Sequence, residues 1–175
     1  MKSLLLTLFC SVILAACSFG VKVEQKEGFV PRTQPQTVFV VPFTTIMVPV
    51  EVTEGLFDRF IDNLNEVHAR DGLEYVILKQ GLDVIDAAWL SKRDYVTGEI
   101  FAYVEEIGSS TASIRAKSRI SLFQAGQSEP TLRLDYPVEV FYEKDYTLLE
   151  DARRKLAEKI SVSMAQKLSE ALTGI

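Results

Sequence analysis

The spacing of hydrophobic and polar residues changes several times along the chain, and each spacing predicts a different element. A continuous β-branched and aromatic run over 37–43 predicts a strand that is covered on both faces. Apolar positions at three- and four-residue spacing over 53–69 then predict a helix with Thr53 as its N-cap and Gly72 as its stop. A second apolar run, 74–78, predicts a strand parallel to the first, because a helix joins the two.

Strict alternation follows in the middle of the chain, after a shorter helix predicted over 80–92. The segments 95–104 and 111–123 flank a Gly-Ser-Ser turn and predict a hairpin, with Val104 among the inward-facing residues. A register centred on the turn gives three pairs on the opposite face of the hairpin. These predicted pairs are Glu99 with Arg119, Phe101 with Lys117, and Tyr103 with Arg115.

The last third of the chain predicts one more strand and a long helix. The strand follows the turn at 126–130, and Pro137 places it at a sheet edge or in a bulge. The helix spans 148–172 with a capping box of Thr147 and Glu150, and its apolar stripe either packs on the sheet or forms an oligomer seam. The fold class is therefore α/β, a single two-layer domain with a mixed β-sheet in the order β-α-β-α-β-β-β-α, helices packed on one or both faces and a long C-terminal helix.

The N-terminus has the parts of an export signal. Lys2 precedes an apolar run over 4–14, which is shorter than the roughly 20 residues that span a membrane. The run ends in Leu-Ala-Ala-Cys17, which resembles the lipobox of bacterial lipoproteins, whose cysteine receives diacylglycerol and acyl chains such as palmitate. An ordinary cleaved signal and an uncleaved anchor are the alternatives. By the same resemblance, Ser18 after the cysteine favours the outer membrane over the inner one.

The resulting domain prediction has three parts: 1–16 as lipoprotein signal peptide, 17–36 as lipidated N-terminus and tether, and 37–175 as a periplasmic α/β domain. Cys10 then leaves with the signal and Cys17 becomes a thioether, so the mature domain offers no cysteine nucleophile or metal ligand. The net charge is −5 and no Lys- or Arg-rich block occurs, so nucleic acid is not an expected partner.

A search for chemistry finds no catalytic, cofactor-binding or metal-binding set, and the chain is not predicted to be an enzyme. His68 is the only histidine, so neither a histidine metal site nor a Ser-His pair can be completed. Glu105 and Glu106 are adjacent on a strand and face opposite sides. Trp89 is either a core plug or part of a contact with a membrane or neighbouring subunit. The candidate interface residues are Trp89, Phe101, Tyr103, Arg115 and Arg119.

Three short motifs carry a family resemblance over about residues 37–172. A strand ending Val-Pro-Phe43, a helix closing on Gly72 before Tyr-Val-Ile, and Asp-Tyr-Val-Thr-Gly98 opening the hairpin together resemble the envelope proteins related to the curli secretion lipoprotein, the N-terminal domain of TolB and the lipoprotein activators of penicillin-binding proteins. The Pel polysaccharide export lipoproteins, PelC, belong to the same structural group.

The resemblance implies a non-catalytic envelope lipoprotein, a structural or assembly component of an export apparatus at the outer membrane. Its domain would face the periplasm, and its partners would be the membrane through the lipid on Cys17, other envelope proteins and further copies of itself. The alternative is a regulatory binding module such as a peptidoglycan-synthase activator. Residues 18–36 reach roughly 60 Å when fully extended, which is short for crossing the periplasm and favours a role close to the membrane.

Overall fold

The computed structural model describes residues 20–31, 36–45 and 47–174, apart from the side chains of 68–71. The predicted signal peptide and Cys17 lie outside these ranges, and so does the His68 side chain. The elements are β1 (Lys22–Gln25), β2 (Thr37–Val40), β3 (Thr44–Thr45), α1 (Val50–Asp71), β4 (Glu74–Ile77), α2 (Ala87–Leu90), β5 (Tyr95–Ile107), β6 (Thr111–Phe123), β7 (Leu132–Glu143) and α3 (Leu149–Thr173). Among the helices in these ranges, none is long and apolar enough to cross a membrane.

The strands form one mixed sheet in the order β1-β7-β6-β5-β2-β4, and β3 pairs with β5 beside this path. β2 is parallel to both β4 and β5, whereas β5, β6 and β7 form an antiparallel meander. The predicted mixed sheet and the parallel pairing of the first two predicted strands are therefore confirmed. The predicted element order is also found, with the short strands β1 and β3 added to it.

The helices α1 and α3 pack together on one face of the sheet, which we call the inner face. Val38 and Val40 of β2 and the alternating aliphatic residues of β5, β6 and β7 meet them there. Of the stripe predicted for the C-terminal helix, Leu149 is half-buried against this core, and the other members are buried in it: Ala152, Leu156, Ile160, Met164, Leu168 and Leu172. Each fully buried Leu, Ile or Met side chain contributes roughly 1.5–3 kcal/mol, so the stripe serves helix-on-sheet packing.

Two of the family-like motifs touch each other in this core. The ring of Phe43 packs against Phe57 and Phe60, with centroids 5.3 and 4.9 Å away. The same ring lies over Gly98, where an added Cβ would come within 2.3 Å of it. Gly98 is required because any side chain would occupy the space of the Phe43 ring.

The helix ends differ from their predictions at three places. α1 begins at Val50, so Thr53 is not its cap; its hydroxyl instead donates to the Pro49 carbonyl at 2.9 Å. The shorter helix is only the single turn α2. It begins after Asp86, because the Asp86 side chain caps it by accepting from the backbone N–H groups of Ala88 and Trp89. α3 begins after Leu148 with no side-chain cap, so the predicted capping box does not form. Gly72, with φ +70°, does follow the end of α1 as predicted.

A β-bulge corrects the predicted hairpin register. Glu99 does face Arg119, as predicted, but the register shifts between Ile100 and Ala102 and leaves Phe101 without a partner. Beyond the bulge, Ala102 faces Lys117, Tyr103 faces Ala116 and Val104 faces Arg115. Because one extra residue reverses the alternation, Tyr103 turns to the inner face and Val104 to the opposite one. The predictions of an outward Tyr103 and an inward Val104 are therefore wrong.

The segment predicted as a tether is partly folded onto the domain. β1 pairs antiparallel with β7, from Lys22 opposite Asp135 to Gln25 opposite Leu132. Farther on, the buried amide of Gln124 donates to the Val30 carbonyl at 2.9 Å and accepts from the Val30 N–H at 3.2 Å. β1 covers only the first part of β7, and Pro137 lies just beyond its end, which agrees with the predicted edge position.

Candidate interaction surface

The sheet face opposite α1 and α3, which we call the outer face, carries the side chains that alternate with the core positions. The single-turn helix α2 lies at one corner of this face. Polar and aromatic groups dominate the rest of it. They include Phe39, Tyr95, Glu99, Phe101, Arg115, Arg119, Phe123, Asp135, Glu139 and Phe141.

Arg119 is the centre of a charge ladder that crosses three strands. Its Nε donates to Asp135 Oδ1 at 2.6 Å on β7, and its Nη1 donates to Glu99 Oε1 at 3.4 Å on β5. The hydrogen bond to Asp135, with the charges of both carboxylates, raises the pKa of Arg119 against the opposing effect of burial. The bulged Phe101 places its ring 4.7 Å from the Arg119 guanidinium. Phe101 and Arg119, which are both predicted interface residues, therefore contact each other. Lys117, the predicted partner of Phe101, faces Ala102 instead.

Arg115 makes a second, more exposed cluster on the same face. It pairs with Glu106 and lies 3.9 Å from a carboxylate oxygen of Glu139. The carboxylates that flank Arg115 and Arg119 offset the positive charge of both. A surface that combines paired charges with exposed aromatic rings suits contacts between proteins.

Trp89 lies at the far corner of the outer face. Its ring meets Phe39 edge-on, with 5.2 Å between centroids, and the Arg93 guanidinium stacks 3.8 Å above it. With 37% of its surface exposed, Trp89 is half covered and borders a shallow groove of about 430 Å³ that Leu78 and Ile85 also line. Trp89 is therefore neither a fully buried core residue nor a fully exposed contact residue, because one side of its ring packs and the other is accessible.

Tyr103 belongs to a different site, on the inner face near the end of the hairpin. Its hydroxyl donates to Glu105, which also accepts from Arg153 of α3 at 2.8 and 3.3 Å. Arg153 in turn lies 3.6 Å from Glu51 at the start of α1. This inner network joins the hairpin to both long helices, and we expect it to act in stability, because only about a fifth of the Arg153 and Glu105 side chains is exposed.

The electrostatics of the inner network follow from its partial burial. Burial raises the pKa of Tyr103, and the hydrogen bond and charge of Glu105 raise it further. Burial acts in the same direction on Glu105, but the hydrogen bonds from Arg153 and Tyr103 outweigh it and lower the pKa of that carboxyl. The hydrogen bonds to Glu105 raise the pKa of Arg153 against burial. The network therefore holds an ionised Glu105 and a neutral Tyr103 at neutral pH.

Arg153 was not identified from the sequence, although the pattern contains a signal for it. It is a charged residue on the apolar stripe of α3, four residues after Leu149 and three before Leu156. A cation in such a position needs a partner. Across the described ranges, no group of three or more His, Cys, Asp or Glu side chains is placed to hold a metal ion.

Comparison with known proteins supports the fold. No protein-family model matches the chain, and no curated protein matches its sequence. The PelC dodecamer from Paraburkholderia phytofirmans matches with a TM-score of 0.52 and 12% identity, over 82% of this chain and 96% of that one. Lipoprotein GNA1162 from Neisseria meningitidis matches with a TM-score of 0.43 and 9% identity, over 78% of this chain and 99% of that one.

A minor lipoprotein from Acinetobacter baumannii matches with a TM-score of 0.42 and 9% identity, over 79% of this chain and 90% of that one. At such low identities the likeness is one of fold. At that level, the predicted resemblance to the structural group that includes PelC is confirmed.

Proposed function

We propose that this chain is a non-catalytic lipoprotein, anchored through Cys17 to the periplasmic side of the outer membrane, where it serves as a structural component of an export apparatus. The lipobox-like Leu-Ala-Ala-Cys17 provides the anchor. The fold shared with PelC supports the export role. Ser18 after the cysteine favours the outer membrane.

The observation that carries the proposal is the docking of β1 directly after the anchor. Between Cys17 and Lys22, the first residue of β1, the chain spans at most about 18 Å when fully extended. A lipoprotein with two or three acyl chains stays at its membrane, because each buried methylene contributes about 0.8 kcal/mol. The domain therefore works against the membrane surface. A peptidoglycan-synthase activator that acts at a distance needs a longer free segment, so we do not adopt that alternative.

We further propose that the chain works as a homo-oligomer, as the dodecameric PelC does. The part of the outer face around Phe101 and Arg119 is the surface that we assign to subunit contacts. It carries exposed aromatic rings among paired charges, and Phe101 and Arg119 lie near its middle. Such a mixture of aromatic residues and arginine is enriched at protein interfaces.

The anchor is tested by intact mass measurement and membrane fractionation of the full chain expressed in a Gram-negative host. We expect a mature N-terminus at residue 17 that carries diacylglyceryl and acyl groups. Cys17→Ala should lose that mass and leave the outer-membrane fraction, whereas the matched variant Cys10→Ala should keep both. A wild-type protein without added lipid mass would contradict the proposal.

The oligomer is tested separately by native mass spectrometry of the lipidated protein released from detergent micelles. We expect a discrete assembly of several subunits. A protein that stays monomeric over a wide concentration range would remove the oligomer from the proposal and leave the lipid anchor standing.

A further inference from the structure

Several loops and helix starts meet at one end of the domain, which we call the hairpin pole. It comprises residues 47–51, 106–111 and 143–151. The Lys144 ammonium donates to the Gly108 carbonyl at 2.9 Å and the Lys144 N–H donates to the Ser110 carbonyl at 3.2 Å, which joins the turn after β7 to the hairpin turn. The inner network of Arg153 with Glu105 and Glu51 brings the starts of α1 and α3 to the same end.

Exposed apolar side chains are concentrated at this pole and on the adjoining end of β7. Three different elements and two connecting segments supply them, so they are not the flank of a single helix. Tyr146 and Phe141 are 85% and 72% exposed and border an open groove of about 600 Å³. The exposed apolar residues are Met47, Val50, Ile107, Phe141, Tyr146 and Leu148. A group of this kind marks an interaction surface.

The direction of β1 shows toward which end of the domain the chain before Lys22 points. β7 runs toward the hairpin pole, because its last residue, Glu143, faces Thr111 at the hairpin turn. β1 is antiparallel to β7, so the chain before Lys22 leaves β1 toward that pole. Lys22 lies opposite Asp135, about 27 Å from the level of Glu143 by strand geometry. An extended segment of about 18 Å reaches the level of Glu143 when the strands are tilted by about 50° from the membrane normal.

We propose that the hairpin pole rests on the phospholipid surface beside the lipid on Cys17, with its exposed apolar side chains inserted at the boundary between head groups and acyl chains. This inference rests on the proposed lipid anchor and adds the face of the domain that meets the bilayer. Aromatic and aliphatic side chains are the groups that partition to that boundary. The carboxylates Glu143 and Asp145 flank Lys144 at this pole, and the Lys144 ammonium is bound to the Gly108 carbonyl. Apolar burial therefore drives the contact, and it does not depend on anionic lipid.

The test uses tryptophan as a depth probe in the lipidated full chain. The native Trp89 contacts Phe39, which pairs with Tyr95 at the start of β5, at the opposite end of that strand from the hairpin pole. The wild-type protein, with its tryptophan far from the pole, is therefore the control. The probe is the double variant Trp89→Phe with Phe141→Trp. Both proteins are reconstituted into vesicles of phosphatidylethanolamine and phosphatidylglycerol, with and without bromine on the acyl chains.

We expect brominated acyl chains to quench most of the emission at position 141 and little of the emission at Trp89. Quenching at position 141 should persist in high salt, because an apolar contact is not screened. Equal and weak quenching of both probes would overturn the inference. A blue-shifted, unquenched probe at position 141 in an oligomer would also overturn it, since a second copy would then cover the pole.

Failure of the inference and failure of the anchor are distinguishable in the same samples. Flotation of the wild-type protein with the vesicles reports on the anchor. Protein that floats while its probe at position 141 stays unquenched has an anchor and no contact at this pole. Protein that does not float contradicts the proposed function itself.

Discussion

On the inner face of the sheet, two long helices bury nearly every aliphatic side chain, whereas on the outer face the same strands carry paired charges and exposed rings. Val96 and Ile100 of β5 are excluded from water, and Phe101 beside them is 44% exposed. The inner face holds most of the apolar burial that stabilises the fold. The outer face can therefore change with little effect on folding and is available for partners.

The bulge at Phe101 connects the two faces. Because it adds one residue to β5, it sends Tyr103 inward to the network with Glu105 and Arg153, and it leaves Phe101 beside Arg119 on the outer face. One irregularity thus supplies a polar contact to the inner side and an aromatic ring to the outer side. Bulges re-aim side chains in this way at the functional edges of sheets.

The largest expected difference between the faces is in the cost of removing a phenylalanine. Phe60→Ala empties a fully buried site of the inner core and should lower the free energy of unfolding by about 3–5 kcal/mol. Phe141→Ala removes an exposed ring and should change it by no more than about 0.5 kcal/mol. Urea unfolding of both variants measures the contrast, and similar losses in the two would contradict the assignment of stability to the inner face.

A second variant tests the contact between the two family-like motifs. Gly98→Ala forces a Cβ against the Phe43 ring and should lower the free energy of unfolding by about 1–3 kcal/mol. Phe43→Leu removes the obstructing ring and lowers the free energy of unfolding by itself, because the ring packs against Phe57 and Phe60. The double variant should lose less free energy of unfolding than the sum of the two single variants' losses. A double-mutant cycle of urea unfolding measures this difference. Additive losses would show that Gly98 is required for another reason.

The sequence predicts the inner face much better than the outer one, and the reason lies in local pattern. The strands, α1 and the stripe of α3 follow from hydrophobic spacing, and Gly72 marks a helix end through its own backbone preference. The bulge has no such signal, because Phe101 and Ala102 fit either alternation. β1 could not be predicted either, since Lys22–Gln25 pairs with β7 across more than a hundred residues and has a mostly polar sequence.

The placement of the candidate residues could be predicted in part, and their role in an interface stays a prediction. Phe101 precedes the bulge and Arg115 and Arg119 lie on the unbulged strand, so all three face the predicted side. The sequence did not assign Trp89 to either face of the sheet. Tyr103 follows the bulge and was assigned to the wrong face for that reason alone. Lipid attachment at Cys17 stays a prediction, as it depends on covalent processing.

The inner network should make stability depend on pH. Glu105→Gln removes an ionised acceptor from Arg153 and should lower the free energy of unfolding by about 1–2 kcal/mol at pH 7. The folded-state pKa of Glu105 is lowered, so its carboxylate stabilises the fold above the unfolded pKa of about 4.3. That stabilisation is lost as the pH falls through the folded pKa. Wild type and variant should therefore converge in urea unfolding between about pH 5 and pH 3.

The matched control for the inner network is Glu106→Gln, one residue along the same strand. Glu106 pairs with Arg115 on the exposed outer face, and surface pairs contribute about 0–1 kcal/mol. Its variant should stay close to wild type across the same pH range. A Glu105→Gln protein that parallels wild type at every pH would show that Arg153 is held by packing alone.

The smallest expected effect on folding belongs to the proposed subunit surface, and there the useful readout is association. Phe101 on the outer face and Val162 on α3 are 44% and 42% exposed, so Phe101→Ser and Val162→Ser remove similarly accessible apolar groups. Each should change the free energy of unfolding by less than about 1 kcal/mol. If the outer face joins subunits, Phe101→Ser should also weaken the assembly in native mass spectrometry of the lipidated protein, because the ring and its contact with Arg119 would lie in the interface. Val162→Ser should leave the assembly intact, and the opposite ranking would move the subunit contact from the sheet to the helices.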